Sequence, residues 1–196
     1  PVVSRMSQEE TSPDQRKGFL FIGRLVPNKG IRVLLEAYAK LKTNPKEWPL
    51  TMLGDGPLRE EVFATIEEQS IEGVQMRGFV SESERHRYTR EAKWMVTPPH
   101  TNEDLGLTPL EARSVGVPCI ATTDGGVKET AGPHALFCKP GDIKSLLECL
   151  KVAVEMKETE YAQMANLAKI GLKDYVRPLD EYSENYLQLI NQNCSN

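Results

Sequence analysis

The chain is short of cysteine, of aromatic residues and of any surplus of one charge. Four cysteines among 196 residues, Cys119, Cys138, Cys149 and Cys194, make no disulfide framework, and no pair has the C-x2-C spacing of a zinc site. They read as reduced thiols of a reducing compartment. With 24 basic and 28 acidic side chains and a net charge of −4, the chain has no global pull on nucleic acid or anionic lipid, so any anion site must be local. No apolar run is long enough to span a bilayer, and no signal-peptide pattern follows Pro1. Two motifs are also missing. There is no D-x-D triplet, and the dinucleotide pattern G-x-G-x-x-G fails at Gly54-Asp55-Gly56, where its third glycine would fall at Arg59. That argues against hydride chemistry with a nicotinamide dinucleotide.

What is present suits one domain with a real core. Aromatics are only 7%, but hydrophobic residues reach 39%, enough for a single folded unit of this length. Residues 1–17 are polar and read as a linker or lead-in, and the composition changes at Gly18. This is the pattern of a piece of a longer protein. Short apolar runs then alternate with segments of helical period. Phe19–Ile22, Leu50–Leu53, Val74–Arg77, Trp94–Val96, Pro118–Ala121 and Ala135–Phe137 read as strands. Helical spacing links Ile31, Leu34, Leu35, Tyr38 and Leu41, and Ser81-Glu82-Ser83-Glu84 predicts a capping box ahead of a charged helix. Three further helices are expected over about 142–157, 159–172 and 179–191. Strands separated by single helices predict an α/β fold, a Rossmann-type doubly wound parallel sheet of about six strands. In such sheets ligands bind beyond the carboxyl ends of the strands.

The segments after the strands carry the polar chemistry. Gly23-Arg24-Leu25-Val26-Pro27-Asn28-Lys29-Gly30 puts two cations between a strand end and a helix mouth, where free N–H groups and the positive dipole end suit a phosphate or diphosphate. Surface cations flanking a turn are the plainer explanation of the same residues. Gly54-Asp55-Gly56-Pro57 allows close backbone approach. The fourth strand leads into Pro98-Pro99-His100-Thr101-Asn102-Glu103-Asp104-Leu105-Gly106-Leu107-Thr108-Pro109-Leu110-Glu111. Thr108 is expected as a helix N-cap with Glu111 closing a capping box, which would explain Glu111 without function. Glu103 has no such explanation, and a carboxylate in a polar loop there could accept hydrogen bonds from sugar hydroxyls. His100 reads as a solvated loop residue. After the fifth strand, Gly125-Gly126 opens a helix with Glu129 in its first turn.

Taken in order, Gly-Arg-Leu-x3-Lys-Gly (23–30), Gly-Asp-Gly-Pro-Leu-Arg (54–59), Gly-Phe-Val (78–80), Glu103-x7-Glu111, Gly-x-Pro-Cys-Ile-Ala (116–121) and Gly-Gly-x-x-Glu (125–129) resemble the carboxy-terminal domain of retaining GT-B glycosyltransferases of family 4. The resemblance covers roughly residues 18–192. It implies a domain that binds a nucleoside diphosphate sugar, most simply a UDP-sugar, for transfer of a hexose-type sugar to an acceptor hydroxyl with retention. On this basis Arg24 and Lys29 correspond to the diphosphate clamp, Glu103 to the acidic residue at the donor sugar, and Glu111 to the ribose-binding carboxylate. Gly78, Phe79 and Val80 would lie by the base, and Leu105, Gly106, Leu107 and Thr108 by the phosphates. Gly23, Gly54, Gly125 and Gly126 complete the expected donor-binding backbone.

The resemblance implies no metal and no cofactor besides the sugar nucleotide. Residues 18–177 would be the nucleotide-sugar-binding domain, and residues 178–196 a helix crossing to an amino-terminal acceptor domain encoded elsewhere. The implied acceptor is a glycan, a lipid-linked sugar or a small molecule rather than a nucleic acid. The implied setting is the cytoplasm, or the inner face of the membrane for the full-length protein. Asp104 and Leu105 depart from the family pattern, which often has a small residue and Phe there, and the added charge of Asp104 would weaken diphosphate binding. The alternative reading is a noncatalytic GT-B-like module that binds a partner.

Overall fold

The computed structural model describes residues 11–99 and 106–175, together with Ser183 and Leu187. Six parallel strands, β1 (Lys17–Ile22), β2 (Leu50–Leu53), β3 (Val74–Gly78), β4 (Ala92–Thr97), β5 (Cys119–Thr122) and β6 (Leu136–Cys138), form one sheet. Their order is β3-β2-β1-β4-β5-β6. The chain runs outward from β1 to β3, then returns to the other side of β1 through β4. The switch point therefore lies between β1 and β4, where open α/β sheets form ligand crevices. The expected α/β, Rossmann-type sheet is the one observed. Helices α1 (Ile31–Lys40), α2 (Arg59–Glu68), α3 (Glu82–Glu91), α4 (Leu107–Ser114) and α5 (Val127–Ala131) make the crossovers, and α6 (Ile143–Glu155), α7 (Glu158–Ile170) and α8 (Leu172–Tyr175) follow the last strand. The helix expected near 179–191 falls mainly outside the described residues.

Strand alternation explains why the apolar runs are continuous. Phe19, Phe21, Trp94, Val96 and Ile120 face one core, beneath α1 and α6. Leu20, Met95, Cys119 and Ala121 face a second core with Ala112 of α4 and Val127 of α5. A strand buried on both faces cannot show a polar period. Strands β1 and β4 also begin earlier than the apolar runs suggest, at Lys17 and Ala92, which pair in register. The charged Lys17 and Lys93 conceal those starts. Lys93 is tolerated at 8% exposure because Trp48 and Tyr161 offer ring faces, 5.4 and 4.9 Å away, and Glu158 offers a carboxylate.

Two buried arginines fasten loops and helices to this frame. Arg16, ahead of the composition change at Gly18, donates to the carbonyls of Val115 (2.6 Å) and Gly116. Arg113, 1% exposed, donates to the carbonyls of Thr130 (2.8 Å) and Ala168 (3.2 Å) and so joins α4, α5 and α7. Helix α3 starts with the capping box expected at Ser81 and Glu84, and α6 is capped by Asp142, whose Oδ1 accepts from the Ser145 N–H at 3.0 Å.

One local expectation is overturned. The capping box at Thr108 and Glu111 does not form, because α4 starts at Leu107 with Gly106 at its cap (φ 56°) and no side chain closing it. The left-handed turn at Gly106 brings the chain into the helix two residues early. Thr108 and Pro109 then lie inside the first turn, where proline's missing N–H costs nothing.

Candidate functional site

Beyond the carboxyl ends of β1, β2 and β3, three loops are bonded into one platform. Gly23 N–H donates to the Leu53 carbonyl (3.0 Å), Gly54 N–H to the Gly78 carbonyl (2.7 Å), and Leu25 N–H to the Asp55 carbonyl (2.9 Å). The platform needs glycine at one position above all. Gly54 has φ 126°, and a Cβ there would stand 2.0 Å from the Gly23 carbonyl oxygen. Gly30 serves similarly at the mouth of α1, where a Cβ would meet the Pro98 carbonyl oxygen at 1.8 Å, so the β1 loop lies directly against the end of β4.

The platform borders a cleft of about 270 Å³. Its floor is apolar, from Ile22, Leu53 and Val80, and Phe79 stands beside it with 90% of its surface exposed. Arg24, Asp55 and Arg85 supply its charges. Asp55 is committed locally: its carboxylate accepts from Gly56 N–H (2.7 Å) and from Arg59 (3.1 Å). Arg24 is exposed and has no ion-pair partner among the described residues, so its charge is available to a ligand. An exposed aromatic, an apolar floor and an available cation can together hold a flat ring system with an attached anion. A larger groove of about 540 Å³ opens at the opposite, amino-terminal ends of the strands, lined in part by Lys17, Thr51, Gln75 and Arg77.

The structure therefore gathers Gly23, Arg24, Gly54, Phe79 and Val80 around one cleft, with Gly78 in its supporting hydrogen bonds. Lys29 lies on the short 3-10 turn Pro27–Lys29 just before α1 and is not among the residues lining this cleft. Gly106, Leu107 and Thr108 form the start of α4, and Gly125 and Gly126 the turn entering α5. Those two turns also lie outside the cleft wall. Glu103 and Leu105, with His100 and Asp104, lie outside the described residues.

Glu111 is 4% exposed, and both its oxygens accept from Arg85 Nη1 at 2.5 Å. Sequence reasoning missed Arg85 as a site residue, because within α3 it reads as one more charge on a charged helix. Its signal is tertiary, an arginine one turn past a cap that crosses to another helix. Among the described residues, no group of three or more His, Cys, Asp or Glu side chains could hold a metal ion, and no helix is long and apolar enough to cross a membrane.

The sheet order, the switch point and the glycine-rich strand ends define a Rossmann-like ligand-binding domain. The sequence profile of the family described as Glycosyl transferases group 1 matches residues 3–170, and the chain belongs to that family. A 2-deoxystreptamine N-acetyl-D-glucosaminyltransferase of Niallia circulans is 28% identical over 151 residues, covering 76% of this chain and 38% of the relative. Among solved structures, Anabaena Alr3699/HepE in complex with UDP and glucose superposes with a TM-score of 0.77 at 18% identity, over 91% of this chain and 49% of that one. The C-terminal domain of the group 1 family protein LpcC of Francisella tularensis superposes with a TM-score of 0.74 at 18% identity, over 88% of this chain and 96% of that one. The chain thus spans less than half the length of the curated relative, and the two structures share its fold.

Proposed function

We propose that this chain is the donor-binding half of a retaining GT-B glycosyltransferase of family 4, which moves a hexose-type sugar from a nucleoside diphosphate sugar to an acceptor hydroxyl. UDP is the preferred nucleotide. The observation that carries the reading is Arg24, an exposed cation without an ion-pair partner among the described residues, on the wall of an apolar cleft at the strand ends of a group 1 domain. The Anabaena relative's complex with UDP and glucose supports the same choice of ligand.

In this reading the base packs against Phe79 and Val80, and the ribose meets Glu111. Arg24 and Lys29 bind the diphosphate and stabilise the charge that grows on it as the glycosidic bond breaks, which is where electrostatic catalysis acts. Backbone N–H groups at the start of α4 (Gly106, Leu107, Thr108) and the Gly125-Gly126 turn face the phosphates, and Glu103 engages the sugar. No metal is needed, because the two cations and the helix terminus supply the positive charge. An amino-terminal domain supplies the acceptor site, so this stretch alone binds donor and does not turn it over. The full-length enzyme would act in the cytoplasm or at the inner face of the membrane.

Calorimetry with UDP-, GDP- and ADP-sugars tests the proposal. One of the three should bind with a Kd between micromolar and millimolar, with no release of free sugar, and silence with all three refutes it.

A further inference from the structure

Glu111 is a carboxylate taken out of water, and such a group needs partners. Arg85 supplies them from a different helix. Its Nη1 lies 2.5 Å from both Oε1 and Oε2, a bridge from α3 to α4. Helix capping does not account for this bridge. α3 is already closed by the Ser81 capping box, and α4 starts at Gly106 without help from Glu111. Arg85 also differs from the wholly buried arginines of the frame. Its side chain is 28% exposed and lines the strand-end cleft beside Arg24, Phe79 and Val80, with Glu82 4.0 Å from Nη2. The guanidinium therefore spans the distance between a buried carboxylate and the ligand cleft.

We propose that Arg85 is a positioning residue that makes the site selective for ribonucleotides, a proposal that rests on the donor-site reading above. An ionised carboxylate offers about four lone-pair sites, two on each oxygen. Nη1 occupies one on each, which pins the end of the side chain in place and, among the described residues, leaves one acceptor per oxygen. Two acceptors held a fixed distance apart match the paired O–H donors of a ribose 2′,3′-diol. Without Arg85 the carboxylate is free to leave that position and lose the match, so a ligand with the diol loses more than a ligand lacking it when Arg85 is removed.

The test titrates the chain with UDP, GDP and ADP and with their 2′,3′-dideoxy analogues, for wild type, R85A, R85K, E111Q and R85A/E111Q. Circular dichroism and the unfolding midpoint are recorded for each variant. Wild type is expected to favour the ribonucleotide by about tenfold or more, the scale of hydrogen bonds to a charged group. R85A and E111Q should each bring that ratio close to one, with ribonucleotide affinity falling more than dideoxynucleotide affinity, and the double variant should bring the ratio no lower. R85K keeps a cation near Glu111 with a shorter reach and serves where R85A does not fold, with a ratio about threefold below wild type. A folded Arg85 variant that keeps the full wild-type ratio, or that weakens both ligand classes equally, overturns the proposal. Equal wild-type binding of both classes overturns it together with the ribose role of Glu111, whereas no nucleotide binding at all overturns the donor-site reading itself.

Discussion

Glu111 sits at the fifth position of α4 with both oxygens on Arg85, and its sequence neighbours give no sign of either fact. Thr-Pro-Leu-Glu fits a capping box as a string, but the helix entry is decided by the backbone turn at Gly106. Arg24 is the opposite case. Its place after an apolar run was enough to put it at a strand end, and the structure finds it on the cleft wall. Two residue-scale predictions follow from these positions. R24A should weaken nucleoside diphosphate binding by about tenfold or more, as expected for a lost charge-assisted hydrogen bond, with an unchanged unfolding midpoint because Arg24 is exposed. Calorimetry paired with thermal unfolding checks both halves. Arg113 should behave in the reverse way. R113A removes a buried donor from the Thr130 and Ala168 carbonyls and should cost about 3 kcal/mol, read from urea unfolding. R113K should recover only part, since one ammonium cannot reproduce the guanidinium fork.

At the scale of elements, the strands were legible because both sheet faces are covered. Phe19 to Ile22 and Trp94 to Val96 are apolar without interruption, and such runs bounded by glycine or proline announce buried parallel strands. The charged residues at their starts, Lys17 and Lys93, were not legible, since Lys93 is tolerated in the strand through Trp48, Tyr161 and Glu158 around it. The same contrast separates two caps. Ser81 works because α3 begins directly after it, with the Glu84 N–H donating to its side chain, whereas Thr108 is pre-empted by a glycine two residues earlier. Strand ends and their glycines followed from local pattern, but the Arg85–Glu111 bridge joins residues 26 apart and depends on how α3 packs near α4.

For the molecule as a whole, the low cysteine and aromatic content takes on a thermodynamic meaning once burial is known. Desolvation pushes Cys119 and Cys138 from 9.0 up to about 12, and Tyr38 and Tyr161 from 10.0 up to about 12. The native chain therefore holds four protons that the unfolded chain releases at lower pH. Their contribution is fully present below about pH 9 and is lost as pH rises toward 12, because the unfolded state then binds fewer protons than the native one. The urea midpoint should accordingly fall between pH 8 and pH 10.5, and a flat or rising midpoint would contradict this. Through the same range the two thiols should resist alkylation in the native chain and react in urea.

The whole-molecule account depends on ligand binding at the carboxyl ends of β1 to β3 rather than in the larger groove at their amino ends. Backbone amide shifts of the labelled chain on titration with UDP, GDP and ADP discriminate the two places directly. Saturable changes are expected at Gly23, Arg24, Gly54, Phe79 and Val80, for one nucleotide more than the others, with Lys17, Gln75 and Arg77 unmoved. Changes confined to Lys17, Gln75 and Arg77, or no change with any of the three nucleotides, would contradict it.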